Sequence, residues 1–251
     1  MGLGLLLLHG FTGGPASWSS VTVGLSSNVT VLAPSLVGHG DQVRAAVAGF
    51  EDEVDRVASL TSNASTWHVA GYSLGGRIAL GLLVRHPDLF RGATLIGAQP
   101  GLSSETARAE RRAGDERWCT LLRERPLSEF VSAWEDQPLF RSQRELPDDV
   151  RTRQRTERLA QDSAGLARSL AFTGLGVMPS YWDALQRIQI PTTLVVGSKD
   201  EKFTAVARDM VSRMPRARLE IVPDAGHNVV LERPDVVSAA LERAIAGKAE
   251  P

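Results

Sequence analysis

Apolar residues along the chain alternate between two patterns. Short continuous runs occur at Leu5-Leu6-Leu7-Leu8, Val29–Ala33, Trp67-His68-Val69-Ala70, Ala93-Thr94-Leu95-Ile96, Thr192–Gly197 and Leu219-Glu220-Ile221-Val222. Runs of this length that are apolar on both faces predict strands of a parallel sheet covered on both sides. Between them lie segments with helical spacing: Ser17–Leu25, Phe50–Leu60, Ile78–Val84, Ala205–Met214 and Pro234–Ala246. In the second of these, Val54, Val57 and Leu60 fall on one face. Strands alternating with helices predict a mostly parallel sheet with right-handed crossovers, the α/β class. The alternation stops between Ser103 and Trp182, where the chain is helical in pattern and rich in arginine. The expected organisation is therefore a core from residues 1–102 and 183–251 and a helical cap, 103–182, set over the strand ends. There is no internal repeat. The Leu5–Leu8 run is too short to cross a bilayer and lacks the basic flank of a signal peptide.

The strand ending at Ala70 runs into Gly71-Tyr72-Ser73-Leu74-Gly75-Gly76-Arg77, followed at once by a helical pattern. Strand, G-x-S-x-G and helix together describe a nucleophile elbow, whose sharp turn exposes the serine hydroxyl. The alternative, Ser73 as an ordinary helix-start residue, leaves the rest of the pattern unused. Asp200 lies just past the strand Thr192–Gly197, and His227 lies in the loop Pro223–Asn228 after the last strand. The chain order Ser73, Asp200, His227 is that of the α/β-hydrolase fold. His227 is expected to take the Ser73 proton, and Asp200 to fix the imidazole tautomer. Among the competitors, His68 sits in a strand pattern, His86 at a helix end, and His9 and His39 in glycine-flanked loops. Asp224 is the second choice of acid but lies close to His227 in sequence. Two backbone N–H groups are expected to form an oxyanion hole: that of Leu74, after the serine, and that of Phe11, in the loop His9–Gly14.

Of the 251 residues, 43% are hydrophobic and 23% charged, with a formal net charge of −1, which suits a globular protein and gives no global field for nucleic acid. The one cysteine, Cys119, can form neither an internal disulfide nor a metal cluster and fits a reducing compartment, so a cytoplasmic location is expected. No metal or cofactor is expected, and neither nucleic acid nor membrane as partner.

Several stretches of the middle segment carry a narrower resemblance. Gln99-Pro100-Gly101-Leu102, Arg108-Ala109-Glu110-Arg111-Arg112 with Asp115 and Trp118, Trp134-Glu135-Asp136-Gln137-Pro138-Leu139-Phe140, Gly165–Leu170 and Gly174–Trp182 are similar to the cap of the 2-succinyl-6-hydroxy-2,4-cyclohexadiene-1-carboxylate synthases of menaquinone biosynthesis. Gly71–Arg77, Asp200–Phe203 and Ala225–Asn228 extend the likeness over nearly the whole chain. The resemblance implies a carbon–oxygen lyase that removes a proton and expels pyruvate, with Ser73 as base. It also implies that Arg77, Arg111 and Arg158 bind carboxylates of a small polycarboxylate substrate, that Tyr72 and Trp134 line the pocket, and that Gln137 is a weaker contact. Arg155, three residues before Arg158, is the alternative third arginine. The loop Ala33–Gly40 departs from the pattern of the superfamily at Ser35 and Val37, and Val230 stands where a histidine is frequent. A serine hydrolase of esters or C–C bonds and a noncatalytic binding protein are the competing functions.

Overall fold

The computed structural model describes residues 3–25, 29–61 and 66–246. Six parallel strands form one sheet: β1 (Leu3–Leu8), β2 (Thr30–Leu32), β3 (Thr66–Tyr72), β4 (Phe90–Ile96), β5 (Thr192–Gly197) and β6 (Ala217–Val222), in the order β2-β1-β3-β4-β5-β6. The inner strands are the continuous apolar runs and are buried, whereas β2 and β6 at the edges are partly exposed. Successive side chains of a strand point to opposite faces. Leu6, Leu8 and Val69 therefore pack with α2 (Phe50–Ser59) and α3 (Leu74–Arg85) through Val54, Val57, Ile78 and Leu82. On the other face Leu5, Leu7, Ala70 and Val195 meet Trp18, Val21, Val237 and Leu241, the last two from the C-terminal helix Pro234–Ile245.

The segment between β4 and β5 folds into α4 (Glu105–Glu124), α5 (Leu127–Glu135), α6 (Asp148–Leu159) and α7 (Ser163–Thr173), with a 3-10 stretch over Pro138–Glu145. Ser104 and Asp162 cap α4 and α7, accepting from Ala107 N–H and Gly165 N–H at 3.3 and 2.7 Å. These helices bury a core of their own around Phe130, Trp134, Leu166 and Leu170. They are seated on the sheet by a backbone contact. Gly38, at φ +81°, lies so close to α7 that a Cβ there would stand 2.2 Å from Gly165 O. Arg168 adds a hydrogen bond to Ala45 O at 2.6 Å.

Two elements differ from expectation. The helix expected over Ser17–Leu25 is a 3-10 turn, Pro15–Trp18, followed by the short α1, Ser19–Thr22; its run of Ser, Val and Thr favours helix weakly. The helix after β5, here named α8, spans Glu201–Val211 and begins four residues before the expected Ala205. Asp200 is its N-cap and sets the start, a cue that apolar spacing does not carry.

The seat predicts opposite outcomes for two Gly→Ala changes in helices. Gly114→Ala in α4 meets nothing nearer than Arg117 Nη2 at 3.7 Å, so helix propensity, about 1 kcal/mol, should raise the melting temperature by about 2–4 °C. Gly165→Ala makes the same gain, but its Cβ would lie 2.5 Å from Gly38 O, and its melting temperature should fall.

Candidate active site

β3 ends and α3 begins across Ser73, which adopts φ 51°, ψ −104°, a conformation that L-residues rarely hold. Its N–H is tied to Ile96 O at 2.8 Å, and Gly75 N–H to His9 O at 3.0 Å, so β4 and the loop after β1 hold the turn from both sides. The crossing is too close for side chains: a Cβ on Gly75 would sit 2.1 Å from Leu8 O. This explains why the sequence places glycines around the serine.

His227 Nε2 lies 3.1 Å from Ser73 Oγ, and His227 Nδ1 lies 2.7 Å from Asp200 Oδ2. With Nδ1–H donating to the carboxylate, Nε2 is left to accept from the Ser73 hydroxyl. His227 is 2% and Asp200 8% exposed, so the pair is shielded from water. The other Asp200 oxygen accepts from Phe203 N–H at 3.2 Å, capping α8. The Phe203 ring packs on the imidazole at 4.4 Å between centroids. The competitors lie elsewhere: His68 pairs with Thr94 Oγ1 at 2.9 Å, His86 with Asp55 at 2.7 Å, and Asp224 is exposed.

Among the described residues, neither Phe11 N–H nor Leu74 N–H has a hydrogen-bond partner. Leu74 is the first residue of α3, where an N–H has no intrahelical acceptor. The loop that carries Phe11 is held by two histidines that sequence reading set aside. His39 Nε2 accepts from Thr12 N–H at 3.1 Å while its Nδ1 donates to Val37 O at 3.1 Å. His9 Nε2 accepts from Leu36 N–H at 3.0 Å while its Nδ1 donates to Gly10 O at 2.8 Å. Burial drives the pKa of His9 down to about 4. Burial, and then the neighbouring His9, drives that of His39 to about 3. Both stay neutral, as their accepting roles demand. Their only sequence signal was a histidine between a strand end and glycines. The loop Ala33–Gly40 is fixed further by buried Glu53, which accepts from Val37 N–H at 2.8 Å and pairs with Arg56 at 2.7 Å.

A cavity of about 480 Å³ opens over Ser73 and His227, between the strand ends and the helices after β4. Arg77, Arg111, Trp134, Gln137 and Tyr72 line it, as does Gln99, which sequence reading gave no role. Arg77 is surrounded by protein but opens into the cavity. It donates to Thr173 O at 2.8 Å and has no carboxylate within ion-pair distance among the described residues. Desolvation, and then neighbouring Arg111, lowers its pKa to about 9, which leaves it a cation at neutral pH. Arg111 is held by Asp115 at 2.8 Å, one helical turn on.

Arg158 is not brought to this cavity. It is buried, bonded to Glu135 at 2.9 Å and placed over the Phe140 ring at 5.5 Å. It lines a neighbouring chamber of about 190 Å³ that shares Phe11, Tyr72 and Phe140 with the main cavity. Arg155, the alternative, binds the same Glu135 and lies outside the main cavity as well. The pull of Glu135 at the end of α5 explains both placements, and spacing along α6 does not encode it.

A family model described as the alpha/beta hydrolase family matches residues 5–240. The chain is also 35% identical over 240 residues to the 2-succinyl-6-hydroxy-2,4-cyclohexadiene-1-carboxylate synthase of Enterobacter sp. (strain 638), covering 94% of this chain and 89% of that protein. The chain belongs to the alpha/beta hydrolase family, and within it to the family of these synthases. Among solved structures, MenH from S. aureus superposes with a TM-score of 0.92 at 29% identity, covering 95% of this chain and 91% of that one. A malate-bound thermophilic esterase from Thermogutta terrifontis gives a TM-score of 0.76 at 27% identity, covering 98% and 90%.

In this alpha/beta hydrolase the neutral histidines make stability pH-dependent. His9, His39 and also His68, lowered by burial to about 4, titrate below the unfolded value of about 6.5. The unfolded chain binds more protons in that window, so stability should fall as pH drops from about 7 toward the folded values near 4 and 3. Guanidinium midpoints measured from pH 7 to pH 5 should decrease. His39→Gln, whose side-chain oxygen can still accept from Thr12 N–H, should show a flatter slope.

Proposed function

We propose that this protein is a carbon–oxygen lyase that eliminates pyruvate from 2-succinyl-5-enolpyruvyl-6-hydroxy-3-cyclohexene-1-carboxylate. The product is 2-succinyl-6-hydroxy-2,4-cyclohexadiene-1-carboxylate, an intermediate of menaquinone biosynthesis, and the enzyme acts in the cytoplasm. The observation that carries this reading is Arg77: an enclosed guanidinium one helical turn from Ser73, with no acid of its own, beside a second arginine. Asp115 acts on Arg77 only from beyond ion-pair contact, and a cation held in protein without a carboxylate in contact is costly unless a ligand supplies one. A small substrate with several carboxylates does so. The relatives that carry the synthase name agree with it.

In the proposed mechanism Asp200, His227 and Ser73 act as one unit. His227 Nε2 draws the hydroxyl proton, and Ser73 Oγ takes a proton from the substrate ring carbon. The C–H electrons of ring carbon 2 form a double bond to carbon 3, the existing double bond shifts to carbons 4 and 5, and the C–O bond at carbon 5 breaks. The leaving enolate takes the proton held by His227 to become pyruvate, which leaves His227 neutral and Ser73 carrying the proton taken from the ring carbon. Phe11 N–H and Leu74 N–H face the oxygen of a substrate carbonyl on which charge develops. No acyl-enzyme forms, because the oxygen of Ser73 acts as base. The guanidiniums of Arg77 and Arg111 bind carboxylates, each offering a planar fork that a lysine lacks. Tyr72 and Trp134 shape the walls, with Gln137 beside them. Arg158, held by Glu135 in the adjoining chamber that shares Phe11, Tyr72 and Phe140 with the cavity, is the third carboxylate ligand, with Arg155 as the alternative. Residues 1–102 and 183–251 act as the core that carries the reacting groups, and 103–182 as the cap that selects the substrate. A serine hydrolase would use the same three residues, and the malate-bound esterase shows that the fold supports that chemistry. An enzyme for neutral esters has no need of Arg77 or Arg111.

Ser73→Ala, His227→Ala and Asp200→Asn should each lower pyruvate release by about a thousandfold or more, and the combined variant should lose little beyond the worst single one. Near-normal release by Ser73→Ala would remove the hydroxyl from the mechanism.

Arg77→Ala and Arg111→Ala should each remove a charge-assisted contact of about 1.5–3 kcal/mol, or about 10- to 150-fold in kcat/KM for pyruvate release. Lysine replacements should restore little, and hydrolysis of p-nitrophenyl acetate by the same variants should hardly change. Efficient ester hydrolysis by the wild type with no pyruvate release would decide for the hydrolase.

A further inference from the structure

Gln99 stands out among the cavity residues because its polarity is unused. It is 9% exposed, and its side-chain amide makes no hydrogen bond among the described residues. It differs from Gln143, whose amide nitrogen is unpaired and sealed from solvent, because the Gln99 amide is open to the cavity over Ser73. The amide is thus not sealed within the fold; its donors and acceptor are turned to the cavity, where a ligand can meet them.

The backbone around Gln99 is fixed. Two residues upstream Gly97 takes φ +55°, where a Cβ would lie 3.0 Å from His227 Cε1. Downstream, Pro100 O accepts from Tyr181 N–H at 2.7 Å, and Gly101 O accepts from the Trp182 indole at 3.1 Å. The side chain is therefore carried on a rigid segment that starts at the imidazole and ends against the chain leaving the cap. Such support is what a binding contact requires.

The chemistry of the amide says what it can meet. The carboxylates of a polyanion are matched by the guanidiniums of Arg77 and Arg111, which line the same cavity. An amide offers both donors and an acceptor, and its natural complement is a neutral group that also gives and takes a hydrogen bond. On the substrate of the proposed reaction that group is the ring hydroxyl, on the carbon next to the one that loses the enolpyruvyl oxygen. We propose that Gln99 is a specificity-determining residue that hydrogen-bonds the ring hydroxyl of the substrate, and so sets the ring's orientation over Ser73. This inference rests on the lyase reading above.

The experiment measures pyruvate release and melting temperature on wild type, Gln99→Met and Gln99→Glu, with the enolpyruvyl substrate and with its analogue lacking the ring hydroxyl. Gln99→Met keeps the volume and removes the polarity. It should melt close to the wild-type temperature, because the amide bonds nothing among the described residues, yet lose about 10- to 100-fold in kcat/KM toward the hydroxylated substrate. Toward the deoxy analogue, wild type and Gln99→Met should be nearly equal, since the hydroxyl and the amide form one interacting pair. Gln99→Glu keeps an acceptor for the hydroxyl but adds a negative charge beside a polyanion, so it should raise KM with either compound. A lower melting temperature in Gln99→Met with unchanged kcat/KM would make the residue structural and overturn the inference. So would an equal loss toward both compounds, which would remove the hydroxyl as its partner. Wild-type protein that releases no pyruvate would overturn the lyase reading and this inference with it, whereas full activity of Gln99→Met would overturn this inference alone.

Discussion

Asp200 divides its carboxylate between two hydrogen bonds, one to Phe203 N–H at the start of α8 and one to His227 Nδ1. The first anchors the carboxylate to a helix end, where the dipole favours negative charge. The second fixes which imidazole nitrogen carries the proton, and so which one faces Ser73. Phe203 belongs to both, because its N–H is the capped group and its ring covers His227. One residue thus couples the start of a helix to the orientation and tautomer of the imidazole. The strand ends of a parallel sheet make this possible: β3, β4 and β5 stop together and deliver Ser73, Gly97 and Asp200 to one edge.

The conformations around that edge are costly, and the rest of the fold compensates for them. Ser73 and Thr12 both hold positive φ. Ser73 is kept there by backbone bonds to β4 and by the close crossing of Gly75 over β1. Thr12 is kept there by His39, a neutral buried imidazole accepting a backbone N–H. Buried charges recur in the same area, each with a partner: Glu53 with Arg56, and Arg158 with Glu135. Against that background two cavity groups stand out among the described residues: Arg77, with no carboxylate in ion-pair contact, and Gln99, whose amide makes no hydrogen bond. Strain and unsatisfied polarity collect where a folded protein binds and reacts rather than where it packs.

The helices between β4 and β5 have a hydrophobic core of their own and touch the sheet through few, specific contacts, the Gly38–Gly165 crossing among them. This arrangement leaves one wall of the cavity free to vary without disturbing the sheet. The wall nearest Ser73 comes from the core elements, and the facing wall, with Arg111, Trp134 and Gln137, comes from these helices. Proteins similar to this chain include an esterase among the solved structures and proteins named as synthases among its relatives.

The continuous apolar runs determined the parallel sheet, because strands covered on both faces must be apolar throughout. G-x-S-x-G between a strand and a helix determined the position of Ser73, because only such a turn needs glycine at those points. The chain order pointed to Asp200 and His227, residues which the fold brings into hydrogen-bond contact across the strand ends. Spacing along α3 was enough to set Arg77 beside Ser73, because both lie on one rigid helix. Other features were decided only by tertiary structure. The start of α8 depended on the Asp200 cap, and the roles of His9 and His39 on loops from β1 and β2 meeting in space. Arg158 went to the smaller chamber because Glu135, on another helix, holds it there. Gln99 was invisible as a site residue for the same reason: the sequence shows an amide, and only the folded chain shows that no hydrogen bond among the described residues engages it.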